Sequence, residues 1–291
     1  MKSLRATVAA VSAAALVLTA CGDERESLFD GQNAISIGYV VDSPGFSWGE
    51  EDPQGLDASL ATALYASLKS PDMPSDEQTK VRLNNVGERD AAILDRKTTL
   101  VAAAYSITPA RNQKGIDFAG PYLKTGQAFL VPKGSSATPA DLQGRSVCVV
   151  SGTTAPADSS GLSDLTTRDK VSQCIELLND GAVEAVFDDT LVLYGYMGLP
   201  DYKNDYRIIE DVKGRTQYYG IGILGGHQED CERVNEAIKK YLAGNWKSDF
   251  ASYFPAIPPS VYQPNNPFLP NASEMSERSC QVEADVTASD G

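Results

Sequence analysis

Residues 100–111 read LVAAAYSITPAR, an apolar strand followed by a polar turn and the start of a helix. The same order recurs at 147–154, VCVVSGTT, and at 185–190, AVFDDT. Strands that alternate with helices in this way predict parallel α/β sheets covered on both faces. In such sheets ligands bind beyond the carboxyl ends of the strands, where helix N-termini present free N–H groups. We therefore expect the three polar turns to contribute to one binding site.

The rest of the chain predicts the same alternation of strands and helices. A leucine recurs every fourth residue from Leu56 to Leu68, which predicts a helix with one buried stripe. Further strands are expected at 35–40, 80–84, 129–131 and 219–224, and further helices at 229–242 and 246–254. With 291 residues, 42% of them hydrophobic, the chain is long enough for two compact domains of the α/β class.

The charge balance and the histidine content exclude several classes of function. There are 39 acidic and 25 basic residues, and the resulting net charge of −14 would repel a nucleic-acid backbone. His227 is the only histidine of the sequence, so a metal site built on several imidazoles cannot form. We expect no nucleic-acid partner, no bound metal and no cofactor.

The residues of the three turns suit a small zwitterion. Arg111 can hold a carboxylate through two parallel hydrogen bonds. Thr153 and Thr154 would add hydrogen-bond donors, and Asp189 would accept from an ammonium group. These turns contain no activated nucleophile and no paired acid and base, so the sequence predicts binding without catalysis, and not an enzyme.

The N-terminus predicts an exported protein. Lys2 and Arg5 precede an apolar run over 6–18, which is long enough for a signal peptide and too short for a membrane span. The run ends in LTAC at 18–21, which resembles the bacterial lipobox. We expect a signal peptide at 1–20, a diacylglycerol-modified Cys21 and a polar tether over 21–32. The protein would then be lipid-anchored to the cell membrane on its extracytoplasmic face.

Four cysteines remain once Cys21 is assigned to lipid, and three pairings of them are possible. Cys148 lies in a predicted strand and Cys174 opens a nearby predicted helix, so we favour a bond between them. The second bond would then join Cys231 to Cys280. It would staple the C-terminal extension, 257–291, to the last core helix. This extension is rich in proline, asparagine and acidic residues, and we expect an extended tail with no core of its own.

An ordered series of motifs resembles the amino-acid-binding proteins of ABC importers, solute-binding family 3. The series runs through DSPGF at 42–46, GLD at 55–57, SIT at 106–108 with Arg111, DFAGPY at 117–122, DLQG at 141–144, GTT at 152–154, GAVEA at 181–185 with Asp189, and YGIG at 219–222. The motifs and the cysteine pair 148/174 are most similar to those of glutamate/glutamine-binding lipoproteins of high-GC Gram-positive bacteria. The resemblance covers about residues 33–255.

The resemblance implies a two-lobe clamshell of the type II periplasmic-binding-protein kind, with two hinge crossovers. Lobe 1 would comprise 33–125 and 218–256, and lobe 2 would comprise 126–217. The protein would act as a monomer that binds an amino acid and delivers it to an ABC permease in the membrane.

The resemblance also implies roles for individual residues. Arg111 would bind the ligand α-carboxylate together with Thr153 or Thr154. Ser106 would contact the ligand from lobe 1, and Asp189 would bind its α-ammonium group from lobe 2.

Other positions bear on which amino acid would bind. Val40 stands where binders of basic amino acids have an aspartate, which favours glutamate, glutamine or aspartate. A glutamate ligand needs a second cation, and the sequence offers Arg89, Lys124 or Arg215. Phe46 suits either the core or a stacking contact with the ligand.

Two other functions remain open from the sequence. The same clamshell could act as a sensor that reports an amino acid to a membrane receptor or kinase pathway, with the acidic tail as a docking surface. An enzyme on this scaffold, such as a dehydratase or a murein lyase, would need an acid or base that the motifs do not supply.

Overall fold

The computed structural model describes residues 26–29, 35–49, 51–69, 79–158, 161–210 and 215–281. The predicted signal peptide, the lipidation site Cys21 and residues 282–291 lie outside these ranges. Within them, none of the helices combines the length and apolar character that crossing a membrane requires.

The secondary structure alternates between strands and helices, as predicted. The strands are β1 (Ser36–Val40), β2 (Asp42–Ser43), β3 (Ser47–Trp48), β4 (Thr79–Leu83), β5 (Leu100–Val101), β6 (Ile116–Thr125), β7 (Gln127–Pro132), β8 (Ser146–Val150), β9 (Asp164–Arg168), β10 (Ala185–Asp189), β11 (Tyr206–Ile209) and β12 (Gln217–Leu224). The helices are α1 (Leu56–Leu68), α2 (Arg89–Leu94), α3 (Pro109–Asn112), α4 (Ala155–Asp158), α5 (Val171–Asn179), α6 (Thr190–Met197), α7 (Gln228–Ala243), α8 (Trp246–Tyr253), α9 (Pro259–Tyr262) and α10 (Ala272–Arg278). A 3₁₀ turn at Val86–Glu88 precedes α2.

Two five-stranded sheets define two lobes. The first lobe is built on a sheet of order β4-β1-β5-β12-β6, and the second lobe on a sheet of order β11-β7-β10-β8-β9. In each lobe helices cover strands whose side chains are buried on both faces, such as β1 in the first lobe and β10 in the second. The structure therefore confirms the α/β class and the two-lobe architecture.

Both sheets are mixed, whereas the sequence pattern predicted parallel strands. β4, β1 and β5 are parallel, and so are β9, β8 and β10. β12 runs antiparallel to β5 and β6, and β7 runs antiparallel to β10 and β11. The antiparallel strands arise because β6 continues almost directly into β7, and β12 returns beside β6. The chain passes between the lobes twice, from β6 to β7 and from β11 to β12. These two connections are the predicted hinge crossovers.

The first lobe has its main helical layer in α1, α7 and α8, which pack together. The stripe from Leu56 to Leu68 faces inward, with Leu60 and Leu64 fully buried between these helices and the sheet. Trp246 and Phe250 of α8 stack in the same core. Burying each such side chain contributes about 1.5–3 kcal/mol to folding.

Both predicted disulfides are confirmed. Cys148 of β8 is bonded to Cys174 of α5, with a Cα–Cα distance of 5.5 Å, so this bond fixes a helix to the second sheet. Cys231 of α7 is bonded to Cys280 just after α10, with a Cα–Cα distance of 5.7 Å. The second bond attaches the C-terminal extension to the first lobe.

The described part of the predicted N-terminal tether is docked on the first lobe. The Ser27 hydroxyl and the Leu28 N–H each donate to the carboxylate of Asp230, both at 2.6 Å. Phe29 is fully buried, and the guanidinium of Arg233 lies 5.2 Å from its ring centroid. Residues 27–29 are therefore part of the folded body.

The C-terminal extension is not the extended tail that its composition suggested. It contains α9 and α10, and Phe268 and Met275 are buried against the main core of the first lobe. α10 begins with a capping box, because the Asn271 side chain accepts from the N–H of Glu274 and the Glu274 side chain accepts from the N–H of Asn271. Proline and asparagine here cap short helices instead of preventing them.

Candidate ligand-binding cleft

A partly enclosed cavity lies between the two lobes. The first lobe contributes Val40, Arg89 and Ser106 to its wall, and the second lobe contributes Thr153, Asp188 and Asp189 among others. The turns after β8 and β10, which are parallel neighbours in the second sheet, thus meet the turn after β5 of the first sheet across the cavity.

Arg89 is almost completely buried at the start of α2 and lines this cavity. Its Nε donates to Val86 O at 2.7 Å, and its Nη1 donates to the carbonyls of Ala103 and Ala104 at 2.9 and 2.8 Å. Its Nη2 crosses the cleft to Gly152 O at 2.8 Å. Arg89 therefore holds the end of β5 in place and also contacts the second lobe.

Arg111 lies beside Arg89 but lines an adjoining outer groove instead of the cavity itself. Its Nη1 donates to Ser106 O at 2.5 Å, and its Nη2 donates to Gly152 O at 3.1 Å. Both guanidinium groups stack on Tyr105, with their central carbons 4.8 and 4.5 Å from the ring centroid. Burial and the nearby charge of Arg111 lower the pKa of Arg89 to about 10, so it remains charged at neutral pH.

Two adjacent buried carboxylates face these cations from the second lobe. Asp189 accepts a short hydrogen bond from the hydroxyl of Tyr219. Asp188 Oδ1 accepts from the N–H of Asp189 at 2.7 Å. Asp188 Oδ2 and Asp189 Oδ1 are buried without a hydrogen-bond partner in the described part of the chain. Two buried acceptors without donors are costly, and a bound ammonium group would satisfy them.

The pKa of each of these carboxyl groups is raised. Burial is the main cause for both, and the charge of Asp189 adds to the effect on Asp188. The hydrogen bond from Tyr219 opposes the increase at Asp189. Without a cation between them, the two side chains therefore resist carrying two charges at neutral pH.

The structure places the other predicted site residues at different depths. Ser106 and Thr153 line the cavity, whereas Thr154 lines only the outer groove that Arg111 also lines. The Thr153 hydroxyl donates to Val150 O at 2.7 Å and caps the turn before α4. Phe46 is fully buried against Tyr219 and Phe254 and is not part of the cavity wall.

The sequence offered three cations that could bind the side-chain carboxylate of a glutamate ligand, and the structure places them at different positions. Lys124 forms an ion pair with Glu274 at 2.8 Å, away from the cavity. Arg215 has a side chain that is 87% exposed and lies 3.9 Å from Asp158. Arg89 alone of the three lines the cavity.

The lobes touch each other on both sides of the cavity. Asp42 contacts the second lobe through its carboxylate, which accepts from Ser172 at 2.8 Å, and through its carbonyl, which accepts from Tyr196 at 3.2 Å. On the other side, a Cβ atom on Gly152 would lie 2.6 Å from the Cα of Gly87, and Gly152 also has a φ of +74°. The structure is therefore a closed arrangement of the clamshell.

Sequence reasoning overlooked three residues of the cleft. Asp188 lies in the AVFDDT segment, Asp42 in the DSPGF motif and Tyr219 in the YGIG motif, but the sequence assigned none of the three a role in the site. Among the described residues, no group of three or more His, Cys, Asp or Glu side chains could hold a metal ion.

Comparisons with known proteins agree with this architecture. The glutamate-binding protein GluB of Corynebacterium glutamicum is 32% identical over 261 residues, covering 82% of this chain and 85% of that protein. The L-cysteine solute receptor of Neisseria gonorrhoeae has a similar fold, with a TM-score of 0.68, 24% identity and coverage of 82% of this chain and 96% of that one. The GluR0 ligand-binding core of Nostoc punctiforme, solved with L-glutamate, has a TM-score of 0.65, 23% identity and coverage of 76% and 99%.

The family match coincides with the two lobes. Residues 35–256 match the bacterial extracellular solute-binding proteins, family 3. This range includes every strand of both sheets and ends a few residues after α8, so the C-terminal extension lies outside it. The chain therefore belongs to the bacterial extracellular solute-binding proteins, family 3.

Proposed function

We propose that this protein binds glutamate between its lobes, with glutamine or aspartate as the nearest alternatives, and delivers it to an ABC importer. The observation that carries the proposal is the pair of opposite charges across one buried cavity. Arg89 lines it from the first lobe, and Asp188 and Asp189 line it from the second. A free amino acid carries the complementary pair of charges.

An acidic ligand is favoured by the arginine pair. Arg89 and Arg111 share one acceptor, the carbonyl of Gly152, and Asp90 lies 3.7 Å from the Nε of Arg111. Arg111 lines the adjoining groove and reaches the second lobe at Gly152 O, so we assign it to the α-carboxylate on the family resemblance, and we assign Arg89, which lines the cavity, to the second carboxylate. The apolar Val40 in the cavity wall offers nothing to a basic side chain.

The proposed cycle is that of a clamshell. The ligand would bind one open lobe and stabilise closure, because only the closed form offers both charges at once. Its ammonium group would satisfy the free oxygens of Asp188 and Asp189. The site would bind without catalysis, because its groups hold a zwitterion and no nucleophile stands beside a base.

The proposed location is the extracytoplasmic face of the membrane. Lipid on Cys21 would anchor the chain, and an ABC permease would receive the amino acid from the monomer. The lipobox resemblance, the membership in an extracellular family and the similarity to GluB support this proposal.

The test is a thermal-shift screen of residues 22–291 against the twenty amino acids, followed by calorimetry. A ligand that binds only the folded state raises the melting temperature by an amount that grows with the logarithm of its excess over Kd. We expect glutamate to give the largest shift and arginine to give none. A larger shift with arginine or lysine, or no shift with any amino acid, would contradict the proposal.

A further inference from the structure

One carboxylate of the C-terminal extension contacts both hinge strands. Lys124, one residue before the end of β6, donates from Nζ to both carboxylate oxygens of Glu274 at 2.8 Å. Tyr218, the second residue of β12, donates its hydroxyl to Glu274 Oε1 at 3.0 Å. Lys124 and Tyr218 are paired directly across the β6–β12 ladder. Glu274 therefore bridges the two strands next to the crossovers.

Glu274 is itself held in position from several sides. Its Oε2 accepts from the N–H of Asn271 at 2.8 Å in the capping box of α10. The Lys124 N–H donates to Phe268 O at 2.9 Å, and the Cys280 N–H donates to Phe118 O at 2.7 Å. The disulfide to Cys231 then fixes the end of α10 to α7. The extension is thus firmly part of the first lobe.

The Lys124–Glu274 pair is shielded from solvent, with side-chain exposures of 21% and 18%. Burial alone would raise the pKa of Glu274, but hydrogen bonds from Lys124, Asn271 and Tyr218 keep the pKa below its ordinary value. Charge-assisted hydrogen bonds of this kind are stronger than neutral ones.

A second carboxylate bridges the hinge from the other lobe. The side-chain amides of Gln127 in β7 and Gln217 in β12 both donate to Asp158 Oδ2, at 3.2 and 2.9 Å. Asp158 ends α4, the helix that follows the Thr153 turn. Gln127 is paired with Asp189 in the β7–β10 ladder. The chain segment from Lys124 to Gln127 lies between the two bridges, and through Gln127 it pairs directly with Asp189 of the cleft.

We propose that Glu274 is a positioning residue for ligand binding, acting through the hinge. By clamping the Lys124–Tyr218 pair it confines hinge motion to the crossovers, so that closure brings Asp189 opposite Arg89 along one path. Without the clamp the ligand-free lobes sample more orientations, and closure on a ligand costs more conformational entropy. The effect on ligand binding rests on the proposed function, whereas the effect on lobe motion does not.

The experiment measures lobe distances with spin labels carried on a non-canonical amino acid, which leaves the disulfides intact. Ser67 on α1 and Glu176 on α5 are exposed positions, one in each lobe. We expect Glu274→Gln to broaden the ligand-free distance distribution and to raise the Kd for glutamate at least about fivefold. Lys124→Met should have the same effects, and the double variant should add little to either single one.

Glu236→Gln is the matched control. Glu236 lies on α7 of the same lobe, its side chain pairs with Lys239 on that helix, and it is 64% exposed. It should leave the distance distribution and the Kd unchanged. If Glu274→Gln lowers only the melting temperature, with a wild-type distribution and Kd, the extension merely stabilises the first lobe and the proposal is overturned. If the wild-type chain binds no amino acid, the proposed function fails, and the ligand-free distances still decide whether Glu274 clamps the hinge.

Discussion

Gly195 of α6 lies directly against Pro44 of the opposite lobe, so closely that a Cβ atom on Gly195 would be 1.9 Å from the carbonyl oxygen of Pro44. The contact exists only because the two lobes are closed. Gly195 has ordinary helical geometry, so alanine is compatible with α6 itself and would improve helix propensity by about 1 kcal/mol.

Gly195→Ala should therefore block closure without unfolding the second lobe. We expect the affinity for glutamate to fall at least about tenfold, while the ligand-free melting temperature stays the same or rises. Gly134→Ala is the control, because a Cβ atom there would meet nothing within 4 Å. Calorimetry that finds wild-type affinity for Gly195→Ala would show that the bound form does not have this contact.

Arg111→Ala should weaken glutamate binding by about two to three decades. The reason is that a ligand carboxylate enclosed in the cleft would lose its partner, at a cost of roughly 3–5 kcal/mol. Arg145→Ala is the matched control, since that side chain is 57% exposed and pairs with the exposed Glu184. Equal affinities of the Arg111 variant and the wild type, measured by calorimetry, would remove Arg111 from the site.

Asp189→Asn should discriminate between ligands with and without an ammonium group. The asparagine can keep the hydrogen bond from Tyr219, so the local structure should survive. Glutamate should bind roughly ten- to a hundredfold more weakly, because a hydrogen bond between charged groups is lost. Glutarate, which lacks the ammonium group, should be affected much less. Similar losses for both ligands would contradict the ammonium role of Asp189.

Binding should release protons near neutral pH. Burial, together with the charge of Asp189, raises the pKa of Asp188 to about 8, and burial raises that of Asp189 to about 6. A bound ammonium group favours the charged carboxylates and so lowers both pKa values. Glutamate affinity should therefore decrease as the pH falls from about 8 to about 6. Calorimetry in two buffers of different ionisation enthalpy counts the protons released on binding. The Asp188→Asn variant should release fewer protons than the wild type. Proton uptake by the wild type on binding glutamate would contradict this prediction.

The sequence predicted the fold well wherever strands are apolar and buried. It missed β6, because Gly120 and Pro121 lie in the middle of that strand and are typical of turns. It also missed β9, whose residues Asp164–Arg168 are mostly exposed and polar. Strands of the second kind are held by backbone pairing to a neighbour, which leaves little trace in hydrophobic periodicity.

Part of the site could be predicted from the residue type and from its position relative to a strand. Ser106, Thr153 and Asp189 follow buried strands and do line the cavity. The relative depth of Arg89 and Arg111 was not predictable, since it depends on how both side chains stack on Tyr105.

The capping box of α10 could have been found from its sequence, Asn-Ala-Ser-Glu at 271–274, because an asparagine followed three residues later by a glutamate is typical of a helix start. The contact of Glu274 with Lys124 and Tyr218 could not, since it joins residues more than fifty positions apart.

If Cys21 carries the proposed lipid, the bonds from Ser27 and Leu28 to Asp230 would also limit how far the protein can move from the bilayer. Only residues 21–26 would then separate the acyl chains from the docked residues 27–29, and six residues span at most about 22 Å. The segment between the lipid and the folded protein would be short and would end on the first lobe. The first lobe would stay close to the lipid headgroups. The second lobe would therefore make most of the movement when the protein opens and closes.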